Sequence, residues 1–292
     1  EADRRFGYSA KETLGIMQNL YETHKLLTYP RTDSRYLTKD IVPTLKERLD
    51  ACGVGPYSRM AFEASRKLRV SSRIVDDSRV SDHHAIIPTE QFVQLSELTE
   101  RERRIYDLVV RRFIAALYPA ASYEQVTLCG RAAGEELLAR GRVMKDAGWQ
   151  SVYQEEREEA AELQEQKLPS LTEGTRLAIE HVHITEGKTK PPARFTEGTL
   201  LLAMENPLPF MKDSSKELRQ TLHKTGGLGT VATRADIIEK LFSAFFIEKK
   251  GREIYLTAKG RQLLELVPEG LRTPELTAEW ETQLLDIAQG QL

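Results

Sequence analysis

Cysteine is scarce in this 292-residue chain: only Cys52 and Cys129 occur, and they lie far apart. Such a pair makes neither a disulfide-stapled scaffold nor a zinc knuckle, and free thiols in an intracellular protein are the expectation. Long apolar runs are missing too. No stretch approaches the roughly 18 consecutive apolar residues of a membrane span, so no membrane partner is expected. The opening residues, EADRRFGYSAKE, are charged, carry no apolar core of a signal peptide and do not begin with Met. Neither sign of charge is in excess, with 42 Lys+Arg against 44 Asp+Glu and a net −2. That balance argues against a nucleic-acid partner on its face. It is unevenly spread, however. EEREEAAELQEQ, residues 155–166, holds six glutamates and one arginine, a net −5 that leaves +3 on the rest of the chain. Local potential decides what a groove attracts, so a nucleic acid stays open.

Two further absences concern chemistry. No aspartates stand at D-x-D spacing, so the usual carboxylate cluster for catalytic Mg²⁺ is missing. EGKT at 186–189 ends like a phosphate-binding P-loop, but Val182 occupies the place of the glycine required five residues before Gly187. Nothing here indicates ATP.

What is present reads as an ordinary globular composition, 40% hydrophobic and 29% charged, on a chain long enough for two or three domains. Ser9 and Glu12 form a capping box before Leu14, Met17 and Tyr21 at helical spacing. Thr38 is placed to cap a helix with Ile41, Leu45 and Leu49 on one face. Thr99 and Glu102 form a second box, opening a long helix that Pro119 ends. From residue 121 to 190 the chain turns strand-rich: YEQVTL, RVMKDAGWQSVY and TRLAIEHVHI are short and β-branched, with the acidic run as a loop or solvated helix and KTKPPA as a linker. Helices return after Phe195, starting on Thr196, on Ser214 or Ser215, and on Thr233. FIEKKGREIYL then predicts a hairpin turning at Lys250-Gly251, followed by a helix over AKGRQLLELV, a winged-helix-like order.

Three stretches carry candidate chemistry. In TYPRTDSRY, residues 28–36, an extended backbone would project Tyr29 and Arg31 to the same side, with Arg35 close behind. Pro30 has no N–H for a ladder, which favours an edge or a cleft rim. A phenol titrating near 10 is a poor nucleophile at neutral pH. Guanidinium charge beside it stabilises the phenolate and can also hold a phosphate in bidentate geometry. That combination suits attack on phosphorus to give a covalent phosphotyrosine; the bland alternative is a surface tyrosine stacked on an arginine. His83 and His84, an adjacent pair ahead of Ala85-Ile86-Ile87 and Pro88, fit the entrance of a short buried strand, where a histidine could bond a phosphate oxygen or move a proton. As metal ligands the pair is weak, since only Asp82 stands nearby. In GGLGTVATRAD, residues 226–236, a glycine-rich turn runs into a helix at Thr233, leaving free N–H groups for a phosphate. Arg234 in that first turn opposes the helix dipole unless an anion is present. The plain alternative is a good N-cap after a turn.

Taken in order, LLTYPRTDSRYL, DHHAIIPT, FTEGTLL, GGLGTVATRADIIEKLF and LTAEWE closely resemble the type IA DNA topoisomerases, in their bacterial topoisomerase III branch, over nearly the whole chain. The resemblance implies an α+β, multidomain fold. A mostly helical gate domain (about 1–120) and a helical, winged-helix-like domain (about 191–292) are joined by a β-rich arch (about 121–190). It implies Tyr29 as the residue that cleaves one DNA strand and keeps its 5′ end, assisted by Arg31. It implies His83, rather than His84, as a backbone-phosphate contact near the cut, and Thr233 as another DNA-phosphate contact. Arg35 and Arg234 join the DNA-binding set from charge and position. Val231 stands where relatives often have proline, a small departure at the turn. The family's Toprim domain, with its acidic cluster for Mg²⁺, has no counterpart here, so a core fragment is expected, without a metal site of its own, binding single strands weakly and cleaving poorly or not at all by itself. The implied partners are single-stranded DNA and, as an open point, a helicase, for a monomer in the cytoplasm associated with the nucleoid. The alternatives are a non-catalytic clasp for single-stranded DNA and a tyrosine recombinase. The latter's H-x-x-R signature does not occur.

Overall fold

The computed structural model describes residues 1–153, 167–211 and 216–291; the acidic run and the expected cap at Ser214 or Ser215 lie outside these residues. Helix α1 spans Ala2–Phe6 and α2 spans Ala10–Glu22, the latter opened by the Ser9–Glu12 capping box with both reciprocal bonds made. Leu20, on the inner face of α2, is fully buried. A 3₁₀ turn over Lys39–Thr44 precedes α3 (Leu45–Cys52), and α4 follows over Ser58–Arg66. The expected cap at Thr38 is not made: its side chain bonds no helix N–H. The reason is Pro43, which lacks an N–H and sits inside the turn, so the regular helix starts only beyond it.

The second capping box, Thr99 with Glu102, opens α5 (Glu100–Leu117). This helix is the axis of the main core. Ile105, Tyr106, Val110, Phe113, Ile114 and Leu117 pack against Leu20, Leu45, Leu49 and Tyr57. Glu102 is buried at the helix start, accepting from the Thr99 N–H (2.8 Å) and hydroxyl (2.8 Å), from Asn19, and facing His24 Nε2 at 3.3 Å. Burial pushes its carboxyl up, but the bonds from Thr99 and Asn19 and the His24 charge outweigh that, and the net shift is downward. Cys52 and Cys129 are both free, the first buried in this core and its thiol pushed up to about 12 by desolvation.

Strands β1 (Ser122–Ala132) and β2 (Glu135–Asp146) then form one long antiparallel hairpin. The chain returns to the core through a 3₁₀ turn over Gly148–Tyr153, where the Trp149 N–H reaches the Pro119 carbonyl and Arg111 reaches the Val152 carbonyl. Gly148 is required there: at φ 48° a Cβ would lie 2.6 Å from the Ala120 backbone. Two strand expectations therefore need correction. RVMKDAGWQSVY ends as a 3₁₀ turn, and TRLAIEHVHI (175–184) forms no strand. Alternating apolar residues make a strand only when a neighbour supplies the ladder, and none of the described residues does so here; Ile184 is 91% exposed.

Helix α6 (Glu197–Glu205) starts on Thr196 as expected, with Thr199 completing the box. It is followed by α7 (Lys216–Lys224), α8 (Arg234–Ser243), the hairpin of β3 (Ile247–Lys250) and β4 (Glu253–Leu256), α9 (Ala258–Leu266) and α10 (Glu275–Ala288). A second, smaller core of Met211, Leu222 and Ala278 joins α7 to α10. Polar contacts fasten this part to the first helices. The Asp3 carboxylate accepts from Thr196 Oγ1 (2.6 Å) and the Gly198 N–H (3.1 Å). The buried Glu197 carboxylate accepts from the Ala10 N–H at 2.8 Å and pairs with Lys249. No helix among the described residues is long and apolar enough to cross a membrane.

Candidate active site

The site is built where two segments far apart in sequence run side by side. Leu27 and Pro88 form an antiparallel bridge, the Thr28 N–H donates to the Ile87 carbonyl (3.0 Å), and the Ile87 N–H returns to Thr28 Oγ1 (3.0 Å). Leu27, Ile87 and Pro88 are buried, so this pairing is anchored in the core. Ahead of it, Thr32 Oγ1 donates to the His83 carbonyl (2.7 Å) and the Ala85 N–H to the Tyr36 carbonyl (2.8 Å). Residues 34–39 are tied down further: Leu37 bridges Val75, and Arg79 both bonds the Tyr36 hydroxyl (2.8 Å) and lies over its ring at 5.0 Å.

These anchors leave a cleft of about 320 Å³ lined by Thr28, Tyr29, Thr38, Asp40, Asp82, His83 and His84, among others. The Tyr29 ring is half-buried between Tyr21, edge-on at 5.5 Å, and His83, tilted at 4.4 Å. Its hydroxyl has no hydrogen-bond partner among the described residues. A phenol held by ring contacts and left free at oxygen is positioned yet uncommitted.

Arg31 is not among the residues that line this cleft. Side-chain alternation holds only while the backbone stays extended, and the chain bends at Pro30. What Arg31 has instead is unspent donor capacity. It makes no hydrogen bond or ion pair among the described residues, and its Nε is sealed from solvent without a partner. Five N–H donors with no protein acceptor, one of them buried, are a costly arrangement that an anion would relieve.

The glycine turn is different. Gly226, Gly227 and Gly229 all have positive φ, and a Cβ on Gly227 would collide with the Met204 and Glu205 carbonyls. Through this turn the Leu228 N–H reaches the Met204 carbonyl at 2.7 Å. Arg234 is buried and donates to the carbonyls of Leu228 (3.0 Å), Gly229 (3.1 Å) and Gly226. Burial pulls its pKa down, opposed by the Glu205 and Asp33 carboxylates. Its charge is thus answered inside the protein rather than by an external anion. Thr233 does not cap α8. Its Oγ1 accepts from the Thr230 N–H (3.0 Å), the single Thr230 carbonyl accepts from the Thr233 (3.0 Å) and Arg234 (3.1 Å) N–H groups, and the Thr233 side chain stays exposed. Arg35 pairs with Glu205 at 2.7 Å, so the tyrosine segment and α6 meet at that carboxylate.

Glu205 and Asp40 were not singled out from sequence, and Asp82 only as a carboxylate beside the histidine pair. Glu205 lies 170 residues from Arg35, and no local pattern announces such a pair. Among the described residues no three His, Cys, Asp or Glu side chains gather as a metal-binding set, so the residues at hand do not fit a Mg²⁺ site.

Comparison with known proteins gives one answer. The family described as DNA topoisomerase matches residues 1–292. The chain is 56% identical over 296 residues to DNA topoisomerase 3 of Bacillus cereus and 54% identical over 295 residues to that of Bacillus subtilis, covering 100% of this chain and 41% of each relative. It thus spans about two-fifths of the length of these curated relatives. Full-length topoisomerase I from Thermotoga maritima shares the fold, with a TM-score of 0.61 at 23% identity over 100% of this chain and 45% of that one. The chain belongs to the DNA topoisomerase family, type IA, in its topoisomerase III branch.

Proposed function

We propose that the chain carries the strand-cleaving half of a type IA topoisomerase. In this reading Tyr29 Oη attacks a backbone phosphorus of single-stranded DNA, the bond to the 3′-oxygen breaks, and a 5′-phosphotyrosine stores the ester energy for rejoining. Arg31 takes the phosphate oxygens, whose negative charge grows as the fifth bond forms. His83, packed on the Tyr29 ring, contacts the phosphate beside the cut. Thr233 and Arg35 meet the DNA backbone, Arg35 by exchanging Glu205 for a phosphate. Arg234 serves the same surface indirectly, by holding the glycine turn in shape.

The observation that carries this reading is the free phenol at a cleft wall, one residue removed from an arginine whose donors are unused. Both are prepared for a ligand that is a phosphate diester. Three units follow from the family reading: a gate over 1–120, an arch over 121–190 and a winged-helix-like unit over 191–292. Mg²⁺ belongs to a Toprim domain in the longer protein, which relaxes and unlinks DNA without ATP as a cytoplasmic, nucleoid-associated monomer, with a helicase as a further partner. No step assigned to the residues of this chain runs through the metal.

The test is a 3′-labelled single-stranded oligonucleotide incubated with the chain, alone and joined to a Toprim-bearing half, and resolved on a denaturing gel. A labelled covalent adduct that disappears in Tyr29→Phe is expected from the joined protein, and little or none from the chain alone. Adduct surviving in Tyr29→Phe would overturn the assignment, and retained binding with no adduct from any form would favour a non-catalytic clasp.

A further inference from the structure

A phenol that attacks phosphorus must lose its proton, and none of the residues assigned above takes it. His84 shares the Tyr29 cleft and carries a ring nitrogen prepared to accept a proton. It lines the same cleft as Tyr29, half-buried, whereas His83 is exposed. His84 Nδ1 lies 2.7 Å from the Ala85 carbonyl oxygen. A carbonyl only accepts, so Nδ1 carries the hydrogen, and in the neutral ring the lone pair stands on Nε2. Nε2 has no partner among the described residues. Among the described residues no ring hydrogen bond fixes the tautomer of His83, whose role is the face it presents to Tyr29. The Ala85 carbonyl is itself fixed, since it also accepts from Thr28 Oγ1 at 3.4 Å, one residue from the nucleophile.

We infer that His84, through Nε2, accepts the phenolic proton of Tyr29 during strand cleavage, an assignment that rests on the cleavage reading above. The step balances. As the Tyr29 Oη–phosphorus bond forms and the phosphorus–3′-oxygen bond breaks, the proton moves to Nε2. The departing 3′-oxygen takes a proton from water, and the imidazolium returns its own to the hydroxide so produced. Rejoining runs the same path backwards, with the phenolate taking its proton back from His84. The other titratable groups on the cleft are Tyr29, His83, Asp40 and Asp82, with Arg31, Lys39 and Arg79 adjoining it in sequence. An acid limb in the rate is the expected signature of a proton-accepting imidazole.

The experiment compares wild type, His84→Gln, His84→Ala and His83→Gln in the protein joined to its Toprim-bearing half. Single-turnover adduct formation is followed across pH with the 3′-labelled strand. A second strand carries sulfur in place of the scissile 3′-oxygen, a leaving group that needs no proton. Loss of His84 should slow adduct formation about 10²–10³-fold on both strands and abolish the acid limb. Imidazole in the buffer should restore His84→Ala, which a merely structural role would not allow, and His83→Gln should keep the limb. Wild-type rate and limb in His84→Gln would overturn the inference alone, and rescue of the variant by the sulfur strand would reassign His84 as the acid. Absence of adduct in wild type would overturn the cleavage reading and this inference with it.

Discussion

The tyrosine cleft and the glycine turn look alike in sequence, each setting arginine beside a phosphate-friendly backbone, yet the structure equips them differently. Arg31 keeps its donors unused, one of them sealed from water. Arg234 gives its donors to the carbonyls of Gly226, Leu228 and Gly229. The first arrangement loses stability until an anion arrives, and the second gains stability without one. An arginine near a turn is therefore a phosphate candidate only after its internal acceptors have been counted.

That contrast can be broken by substitution. The largest effect is expected from Tyr29→Phe, which should abolish the adduct while leaving oligonucleotide affinity within about two-fold, since a phenol oxygen without a protein partner contributes little to binding. Next, Arg31→Ala should lower adduct formation about 10²–10³-fold with a melting temperature equal to or above that of the wild type, because a buried donor without a partner is removed and no acceptor among the described residues is orphaned. Arg234→Ala should do the opposite. It takes the donors from three carbonyls in a half-exposed turn, so a loss of about 1–2 kcal/mol in denaturant unfolding is expected, with adduct per folded molecule little changed. If Arg31→Ala melts early and Arg234→Ala does not, the comparison is inverted.

Two smaller effects sharpen it. The Glu102 carboxyl is held below the usual range in the folded state, so its stabilisation is complete above the ordinary glutamate pKa of about 4.3 and is lost as pH falls through the lower folded value. Glu102→Gln should therefore cost about 1–2 kcal/mol at neutral pH and flatten the acid limb of the stability curve in urea titrations. The exposed Arg35–Glu205 pair should matter least. A double-mutant cycle is expected to give about 0.2–1 kcal/mol, fading in high salt, which is what lets a phosphate displace Glu205.

Much of this arrangement is written locally. The capping boxes at Ser9, Thr99 and Thr196 stand where the sequence puts them, because a cap and its third residue recognise each other within one turn. The hairpin at 247–256 obeys the same short-range logic. Where the sequence misled, a longer-range or competing contact decided the outcome. Thr38 met a 3₁₀ turn containing Pro43, Thr233 was pre-empted by Thr230, and the alternation in TRLAIEHVHI found no neighbouring strand. At the site, residue types were legible but commitments were not. Nothing near Arg234 says that three carbonyls will face it, and nothing near Arg35 names Glu205. The tautomer of His84 depends on one carbonyl, that of its neighbour Ala85, whose direction is set by the backbone and not by residue type.

The most direct test of the account is to digest the covalent adduct formed by the joined protein and map the modified peptide by mass spectrometry. The account predicts a nucleotide 5′-phosphate on Tyr29, within the peptide that contains TYPRTDSRY. A nucleotide on any other side chain, or on the 3′ side of the cut, would contradict it.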